Sequence, residues 1–246
     1  MNVPNLSKHI GYTHSRILLT TSGQASVRYM WGTPLIRIAN PRHNRVKARL
    51  IEYCYTRMRV EGDGISSGVA PTCKINLYES AFDFFSSDSD VVSELRTFCQ
   101  DVLGQSLTAL AAGSDLEVIA AGAKVDLHES WIHITRDGGY HGPHIHCNCS
   151  WCGIYYLESG DCDQCTGNGA TEFFTPFNST YDDLGTRVCS LGSLRVTPNE
   201  GTLLLFPSYL PHAARLYRGG RDRVVIAFNA RVFGAPGAAP LSLQGP

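Results

Sequence analysis

The second half of the sequence carries a series of short apolar segments separated by turn residues. The segments lie at 130–135, 153–158, 171–175, 194–197, 202–206, 213–217 and 223–229. The turns between them include Asp137-Gly138-Gly139, Pro198-Asn199-Glu200-Gly201 and Arg218-Gly219-Gly220. Short strands with this punctuation are typical of a jelly roll or a β-barrel. The pattern therefore predicts a mainly β protein.

Two stretches before this series predict helices that flank the β core. The first spans about 44–58, and the second spans about 90–110 after a run of Ser and Asp at 86–90 that is suited to an N-cap. Their apolar residues recur at steps of three and four, which is the helical period. We interpret both apolar stripes as faces that pack on the core rather than as functional surfaces.

The sequence has no obvious linker, and its length suits one large domain. We predict a single domain at 29–233 with its β core at about 124–233, entered by a strand at 29–38. Residues 1–28 show no clean period and are expected to form a partly ordered arm. Residues 234–246, rich in Ala, Pro and Gly, are expected to form a loose tail.

Composition narrows the choice of partners and compartment. The formal net charge of −1 gives no reason to expect nucleic acid or an anionic membrane as a partner. The longest apolar runs are too short to span a bilayer, and the N-terminus lacks the pattern of a secretory signal. Nine cysteines, an odd number, favour reduced thiols in a cytoplasmic protein. A small molecule is the expected partner, and the oligomeric state stays open.

The most chemically informative stretch is a histidine-dense run at 138–149, which contains His141, His144 and His146. On an extended segment, alternate side chains point the same way, so His144 and His146 can reach one ion. His212 can supply a third nitrogen if its strand lies alongside. Imidazole binds Fe, Zn, Cu and Ni, so the ligand type does not choose the metal. The alternative interpretation is that these are surface or hydrogen-bonded histidines.

Residues 131–157 resemble the iron(II)/2-oxoglutarate-dependent oxygenase family with a double-stranded β-helix. Typical members carry His-x-His-Pro-x-Ser-x-x-Ser-Gly-x-Tyr-Tyr, and this sequence reads His144-Ile-His-Cys-Asn-Cys-Ser-Trp-Cys-Gly-Ile-Tyr-Tyr156. The similarity continues through 169–176, 198–212 and 223–229. The resemblance implies a double-stranded β-helix, a jelly-roll or cupin-like core, with His144, His146 and His212 as the metal ligands.

The same resemblance implies a non-haem dioxygenase that uses iron(II), 2-oxoglutarate and O₂. It would oxidise a small-molecule or amino-acid-like substrate through a ferryl, most often by hydroxylation. The far carboxylate of 2-oxoglutarate requires a buried cation, and an arginine is preferred. Arg223 is favoured over Arg221 in that role, and Tyr156 is a further cofactor-binding candidate. The candidates for the substrate pocket are Trp131, His133, Tyr140 and His141.

The sequence departs from the commoner oxygenase pattern at the second metal-ligand position of the His-x-His motif. Most members of this broad class use His-x-Asp or His-x-Glu, whereas this chain has His146 there. The site is therefore all-histidine or recruits a carboxylate such as Glu158 or Glu172. Three neutral ligands also leave open a three-histidine iron dioxygenase that does not need 2-oxoglutarate.

The cysteines support a rival interpretation. Cys149-x-x-Cys152 and Cys162-x-x-Cys165 have the spacing of a tetrathiolate zinc site. On that interpretation the protein is a non-catalytic, zinc-stabilised binding module. Residues three apart on a strand face opposite ways, which argues against convergence of Cys149 and Cys152 on one ion.

Overall fold

The structure is a computed structural model that describes residues 15–20, 23–28, 32–62, 73–114, 116–176, 181, 183–189 and 192–234. Most of the predicted loose tail therefore lies outside the described residues, as does the first half of the predicted arm. Among the described residues, no helix combines the length and the apolar character that a membrane span requires.

The described chain contains eleven strands and four α-helices. The strands are β1 (Ser15–Thr20), β2 (Gly23–Arg28), β3 (Ile36–Ala39), β4 (Lys74–Glu79), β5 (Lys124–His144), β6 (Trp151–Glu158), β7 (Thr171–Phe174), β8 (Ser193–Val196), β9 (Thr202–Pro207), β10 (His212–Ala214) and β11 (Arg223–Phe233). The helices are α1 (His43–Glu61), α2 (Asp90–Ala111), α3 (Glu117–Ala121) and α4 (Leu184–Cys189).

Nine of the strands form one curled antiparallel sheet, while β1 and β2 form a separate hairpin in the predicted arm. The order in the large sheet is β3-β9-β6-β11-β5-β10-β7-β8, and β4 pairs with β5. Strands distant in sequence are therefore neighbours, as a jelly roll requires. The predicted double-stranded β-helix is confirmed.

The two faces of this sheet have different partners, because side chains alternate along each strand. On β11, Val224, Ile226 and Phe228 lie on the outer face of the curled sheet. There they pack in a core that also contains Leu50 of α1 and Leu103 of α2. The alternate residues point inward. A smaller apolar cluster fills part of that inner face; it contains Cys152, Tyr156, Phe173, Leu204, Phe206, Leu210 and Val225. The helices thus cover one face and leave the other to line a cavity.

Both long helices lie where the periodicity predicts them. α1 begins at His43 and α2 at Asp90, directly after Ser89. Their stripes are buried, as Leu50 and Leu103 show with no exposed surface. Burial of each such side chain contributes on the order of 1.5–3 kcal/mol to folding.

Strand β5 differs from the prediction, because it continues through the expected turn at Asp137-Gly138-Gly139. Ile75 of β4 pairs with Tyr140 of β5, and Leu77 pairs with Thr135. The segment of β5 between these pairs is longer than the segment of β4 that it faces, so it bulges. Gly138 adopts a φ of +76° there, a conformation that glycine accepts without strain. These glycines therefore shape a bulge and not a turn.

Two further corrections concern the strands before residue 124. Of the strand predicted at 29–38, residues 29–31 lie outside the described residues, 32–35 are not in a strand, and the rest appears in β3, Ile36–Ala39. Strand β4 was not predicted, because its ends are charged residues that a sequence pattern assigns to solvent. Lys74 and Glu79 are instead only 4% and 1% exposed. The β core therefore begins well before residue 124.

Candidate metal and cofactor site

Three predicted histidines meet at one end of the cavity. His144 ends β5, His212 begins β10, and the two residues are antiparallel partners in the sheet. His146 lies two residues beyond β5. One ligand nitrogen from each of the three lies within 4.8 Å of the others. The pairing of two strands far apart in sequence therefore creates the cluster.

Backbone carbonyls orient two of the three rings. His144 Nδ1 lies 2.9 Å from the Gly142 carbonyl oxygen, and His212 Nδ1 lies 3.0 Å from that of Leu210. A carbonyl only accepts, so each Nδ1 carries the proton and donates it. Each Nε2 is left with a free lone pair, which is the arrangement of a histidine prepared for metal binding.

The third ring, His146, is held by stacking. Its ring centroid lies 5.3 Å from that of His212 at an interplanar angle of 16°, and 5.9 Å from that of Trp131 at 29°. The His146 backbone N–H donates to the Ser208 carbonyl oxygen at 3.2 Å. This ligand therefore depends on its neighbours and on the path of the chain after β5.

Burial keeps the three imidazoles neutral near pH 7. Desolvation is the largest cause, and it lowers the pKa of His144 and of His146 to about 4 and that of His212 to about 3. The charged form loses its hydration inside the protein, so protonation is disfavoured. A neutral imidazole is the form that binds a metal. The cluster is therefore ready to act as a ligand set at neutral pH.

Arg223 lies deep in the same cavity, and only 3% of it is exposed. Its guanidinium carbon lies 5.7 Å from the centre of the Tyr156 ring, and the Tyr156 hydroxyl lies 2.7 Å from Thr171 Oγ1. The buried Nε of Arg223 has no hydrogen-bond partner among the described residues. A buried donor without a partner is costly, so this atom indicates a place for an anion.

Arg221, the competing candidate, lies in the turn before β11 and points to solvent. Its side chain is 65% exposed, and its Nε is 2.9 Å from Asp161 Oδ1. Arg221 and Arg223 would share a face only on a continuous strand, and β11 begins at Arg223. The structure therefore places Arg223, and not Arg221, in the cavity.

Three of the four predicted substrate-pocket residues line the cavity: Trp131, His133 and His141. His141 stacks on His144 with a centroid distance of 3.9 Å and an angle of 15°. Tyr140 is not among the lining residues, because it alternates with His141 along β5. His141 is therefore a close neighbour of the histidine cluster.

His133 belongs to a buried polar group that the sequence did not reveal. Glu79 Oε2 lies 2.6 Å from His133 Nε2 and 2.5 Å from Lys74 Nζ. Trp131 Nε1 also approaches His133 Nε2, at 3.0 Å. The closer carboxylate only accepts, so we assign the Nε2 proton to a bond with Glu79. Burial would raise the pKa of Glu79, but hydrogen bonds from His133 and Lys74 lower it to about 2.

A second polar group without a sequence signal lies close to His146 and is centred on Glu129. Both carboxylate oxygens of Glu129 accept from Asn148 Nδ2 at 2.9 Å, and Oε2 also accepts from Asn229 Nδ2 at 2.7 Å. Glu129 and Asn229 are partners on β5 and β11. Such contacts between distant residues leave no local sequence signal. They hold the segment that follows His146.

The cavity has about 40 Å³ of space that water could occupy, and it is partly open to solvent. Ile154, Val225 and Ala227 contribute apolar side chains to its lining. This mixture of apolar walls and few polar groups is typical of a small-molecule site.

Neither carboxylate considered as a fourth partner joins the cluster. Glu158 Oε2 pairs with Lys47 at 3.1 Å, and Glu172 Oε2 pairs with Arg215 at 2.5 Å. Within the described chain, the three histidines form the only group of His, Cys, Asp or Glu side chains close enough together to hold a metal ion. The group of candidate ligands in the described chain is therefore all-histidine.

The same finding removes the support for a tetrathiolate zinc site. Cys149, Cys152, Cys162 and Cys165 do not form a metal-binding group in the part of the chain that the structure describes. Cys149 precedes β6 and Cys152 lies near its start, whereas Cys165 is exposed in the loop that follows the strand.

The fold and the histidine cluster agree with the class of iron(II)- and 2-oxoglutarate-dependent oxygenases. Residues 129–229 match the family model described as "Putative 2OG-Fe(II) oxygenase". The matched segment contains β5 from Glu129 onward, all three histidines and Arg223. The chain therefore carries a 2OG-Fe(II) oxygenase domain and is an oxidoreductase that uses iron(II) and 2-oxoglutarate. The alternative of a non-catalytic zinc module has no support in the described part of the chain.

Solved structures agree on the fold. A Pseudomonas putida prolyl-4-hydroxylase is 17% identical with a TM-score of 0.51, over 81% of this chain and 93% of its own. The 2-oxoglutarate-dependent carbocyclase SnoK is 14% identical with a TM-score of 0.54, over 84% of both chains. The epimerase SnoN, solved with Fe³⁺ and 2-oxoglutarate, is 13% identical with a TM-score of 0.54, over 87% and 88%. A search of curated proteins found no match.

Proposed function

We propose that His144, His146 and His212 hold the iron, that Arg223 binds the far carboxylate of 2-oxoglutarate, and that the enzyme hydroxylates a small-molecule or amino-acid-like substrate. The observation that carries this proposal is the juxtaposition, in a single cavity, of three neutral imidazoles and one buried guanidinium whose Nε has no hydrogen-bond partner among the described residues.

The donor set fits a metal that also needs positions for other ligands. Three nitrogens from one side of the cavity leave the remaining coordination positions to molecules that enter from the other side. Histidine ligands bring no negative charge, so the ion keeps its full positive charge. An anionic chelator such as 2-oxoglutarate is therefore favoured at this site.

The other end of the cavity fits the far carboxylate. Arg223 offers a planar, permanently charged set of donors, and Tyr156 of the neighbouring strand β6 lies next to it and hydrogen-bonds to Thr171 of β7. Low exposure strengthens the attraction because little water competes for the charge. Arg223 therefore sets the position of the co-substrate and excludes water from its carboxylate.

Iron and 2-oxoglutarate, when bound, couple the oxidative decarboxylation of 2-oxoglutarate to succinate and CO₂ with the oxidation of the substrate. The remaining cavity walls bind and orient that substrate. Trp131 offers an aromatic face, and His141 and His133 offer ring nitrogens next to it. Glu79 fixes the tautomer of His133, so that residue presents its Nδ1 as an acceptor.

Coupled product analysis tests the proposal. The protein is incubated with iron(II), 2-oxoglutarate, ascorbate and a panel of amino acids and small metabolites, and succinate is measured with oxygen uptake. We expect 2-oxoglutarate-dependent succinate in the wild type, and loss of at least 100-fold in His212→Ala. His128→Gln is the matched control, because His128 lies outside the cluster. Oxygen uptake that does not require 2-oxoglutarate would instead favour a three-histidine dioxygenase.

We also propose that the protein works in the cytoplasm. The support is the state of its thiols, because all eight cysteines whose side chains the structure describes are free. Fractionation of cells with an antibody to the protein tests this, and enrichment in an oxidising compartment would contradict it.

A further inference from the structure

The two Cys-x-x-Cys pairs have the same spacing but different geometry. Cys149 Sγ and Cys152 Sγ lie 3.8 Å apart. Cys162 Sγ instead donates a hydrogen bond to the Gly169 carbonyl oxygen at 3.7 Å, and Cys165 is exposed. Since neither pair belongs to a metal-binding group among the described residues, the contact between Cys149 and Cys152 needs another explanation.

The two cysteines of the Cys149–Cys152 pair have different surroundings: Cys149 is partly exposed to solvent, and Cys152 lies in the wall of the cavity. Cys152 is on the inner face of β6, is 3% exposed, and packs in the apolar cluster with Phe206 and Val225. It also lines the cavity that holds the histidines. Cys149 is only partly buried. A small oxidant can therefore reach Cys149 first. The sulfur of Cys152 lies 3.8 Å from the sulfur of Cys149, close enough to react with it after a small movement.

The same pair is tied to the segment that carries His146. Ser208 Oγ donates to the Cys149 carbonyl oxygen at 2.7 Å, and the Ser208 carbonyl oxygen accepts from the His146 N–H at 3.2 Å. Cys152 Sγ donates to Asn229 Oδ1 at 3.6 Å. Ser208 therefore links the backbone of Cys149 to the backbone of His146 through two hydrogen bonds.

We propose that Cys149 and Cys152 are a redox modification site: a peroxide converts them to a disulfide, and the disulfide weakens metal binding at His146. The first half concerns the thiols alone. The second half rests on the proposed role of His146 as a metal ligand.

The chemistry balances with hydrogen peroxide as the oxidant. The Cys149 thiolate attacks one peroxide oxygen, the O–O bond breaks, and hydroxide leaves and takes up the thiol proton as water. The sulfenic acid on Cys149 is then attacked by the Cys152 sulfur, an S–S bond forms, and a second water leaves with the Cys152 proton. Two thiols lose two electrons and two protons, and one peroxide becomes two waters. Two equivalents of an external thiol reverse the reaction and become a disulfide themselves.

The environment of Cys149 suits the role of attacking thiol. The hydrogen bond with Cys152 lowers the pKa of Cys149, burial opposes this effect, and a hydrogen bond from Ser208 lowers the pKa further. A thiol with a lowered pKa is more often present as the reactive thiolate.

Disulfide formation requires movement on the His146 side. The sulfurs must approach from 3.8 Å to about 2 Å. Cys152 is held in β6 between β9 and β11, where it pairs with Phe206 and Asn229. Cys149 precedes the strand, so it moves more easily. That movement disturbs its bond with Ser208 and hence the position of His146.

Peptide mapping tests the first half. The metal-free protein is treated with hydrogen peroxide and desalted, free thiols are blocked with N-ethylmaleimide, and the protein is cut with chymotrypsin. Cleavage after Trp151 separates Cys149 from Cys152, so the two fragments stay linked only through a disulfide. We expect the linked pair in the wild type and in Cys165→Ser, and its loss in Cys149→Ser and in Cys152→Ser. A linkage that forms at Cys162–Cys165 instead, or none at all, would overturn the proposal.

Titration with cobalt(II), followed by calorimetry, tests the second half. We expect the oxidised protein to bind cobalt(II) about tenfold more weakly than the reduced protein, as for loss of a supporting contact. Dithiothreitol should restore the affinity, and peroxide-treated Cys149→Ser should bind normally. A disulfide with unchanged cobalt affinity would refute the link to His146. If the reduced protein binds no cobalt through its histidines, the proposed metal site fails, while the mapping result still decides whether the disulfide forms.

Discussion

Replacement of Arg223 by lysine should weaken 2-oxoglutarate binding while it leaves the fold intact. The substitution keeps the positive charge but removes the planar fork of donors. Arg223 is 3% exposed, and its Nε has no partner among the described residues, so a bound carboxylate would satisfy it. One charge-assisted hydrogen bond contributes about 1.5–3 kcal/mol. Loss of one such bond predicts a rise in the Kd for 2-oxoglutarate of about 10- to 150-fold.

The assay is calorimetric titration of 2-oxoglutarate into the cobalt(II)-loaded protein, with the thermal unfolding midpoint measured alongside. Arg221→Lys is the matched control, because Arg221 is 65% exposed and pairs with Asp161 at the surface. The control should bind 2-oxoglutarate within about twofold of the wild type, because exposed ion pairs contribute little. An unchanged Kd in Arg223→Lys, or an equal loss in Arg221→Lys, would refute the assignment.

Three further predictions concern stability. His144 and His212 have pKa values lowered to about 4 and 3, so the unfolded chain binds more protons between pH 6.5 and 4. The free energy of unfolding should therefore be highest above pH 6.5 and fall on acidification. The fall should be roughly 2 kcal/mol for each histidine at pH 5. Urea unfolding of the metal-free protein at pH 7 and pH 5 measures this, and equal midpoints would count against it. Leu103→Ala, in the core between α2 and the sheet, should cost about 2–5 kcal/mol by the same assay, whereas Val118→Ala, at a site 83% exposed, should change little. Gly153→Ala should destabilise by about 1–3 kcal/mol because the added Cβ would lie 2.1 Å from the Phe228 ring. Gly104→Ala, inside α2 with its nearest neighbour at 3.9 Å, should instead stabilise by up to about 1 kcal/mol, and matching signs for the two glycines would contradict this.

The sequence was sufficient for the elements whose side chains follow a period. Leu50 and Leu103 belong to helical stripes, and the segments around Leu204 and Ile226 read as strands because both of their faces are covered. The alternation in His144-x-His146 also predicted two side chains that converge. The local pattern is enough to predict these helices and strands, because each of their residues packs against the core as a whole and needs no particular partner.

The sequence was insufficient where a residue's role depends on one distant partner. Lys74 and Glu79 look like surface residues, yet they are buried because they pair with each other and with His133. Glu129 gave no signal because its partners, Asn148 and Asn229, are brought to it by sheet pairing.

Two local patterns had more than one structural solution. Gly138 fits a turn as well as it fits a bulge, and the pairing of β4 with β5 decides between them. Arg221 and Arg223 share a face only if a strand includes both, and the start of β11 separates them. Strand boundaries of this kind depend on the neighbouring strand and not on the segment itself.

The most direct test of the metal site is the visible spectrum of the anaerobic protein after addition of iron(II) and then 2-oxoglutarate. If His144, His146 and His212 hold the iron and 2-oxoglutarate binds to it, the wild type and His128→Gln should both show a weak charge-transfer band that depends on 2-oxoglutarate. His144→Ala, His146→Ala and His212→Ala should each lose it. A band that persists in these three variants, or its absence from the wild type, would contradict the assignment of the site.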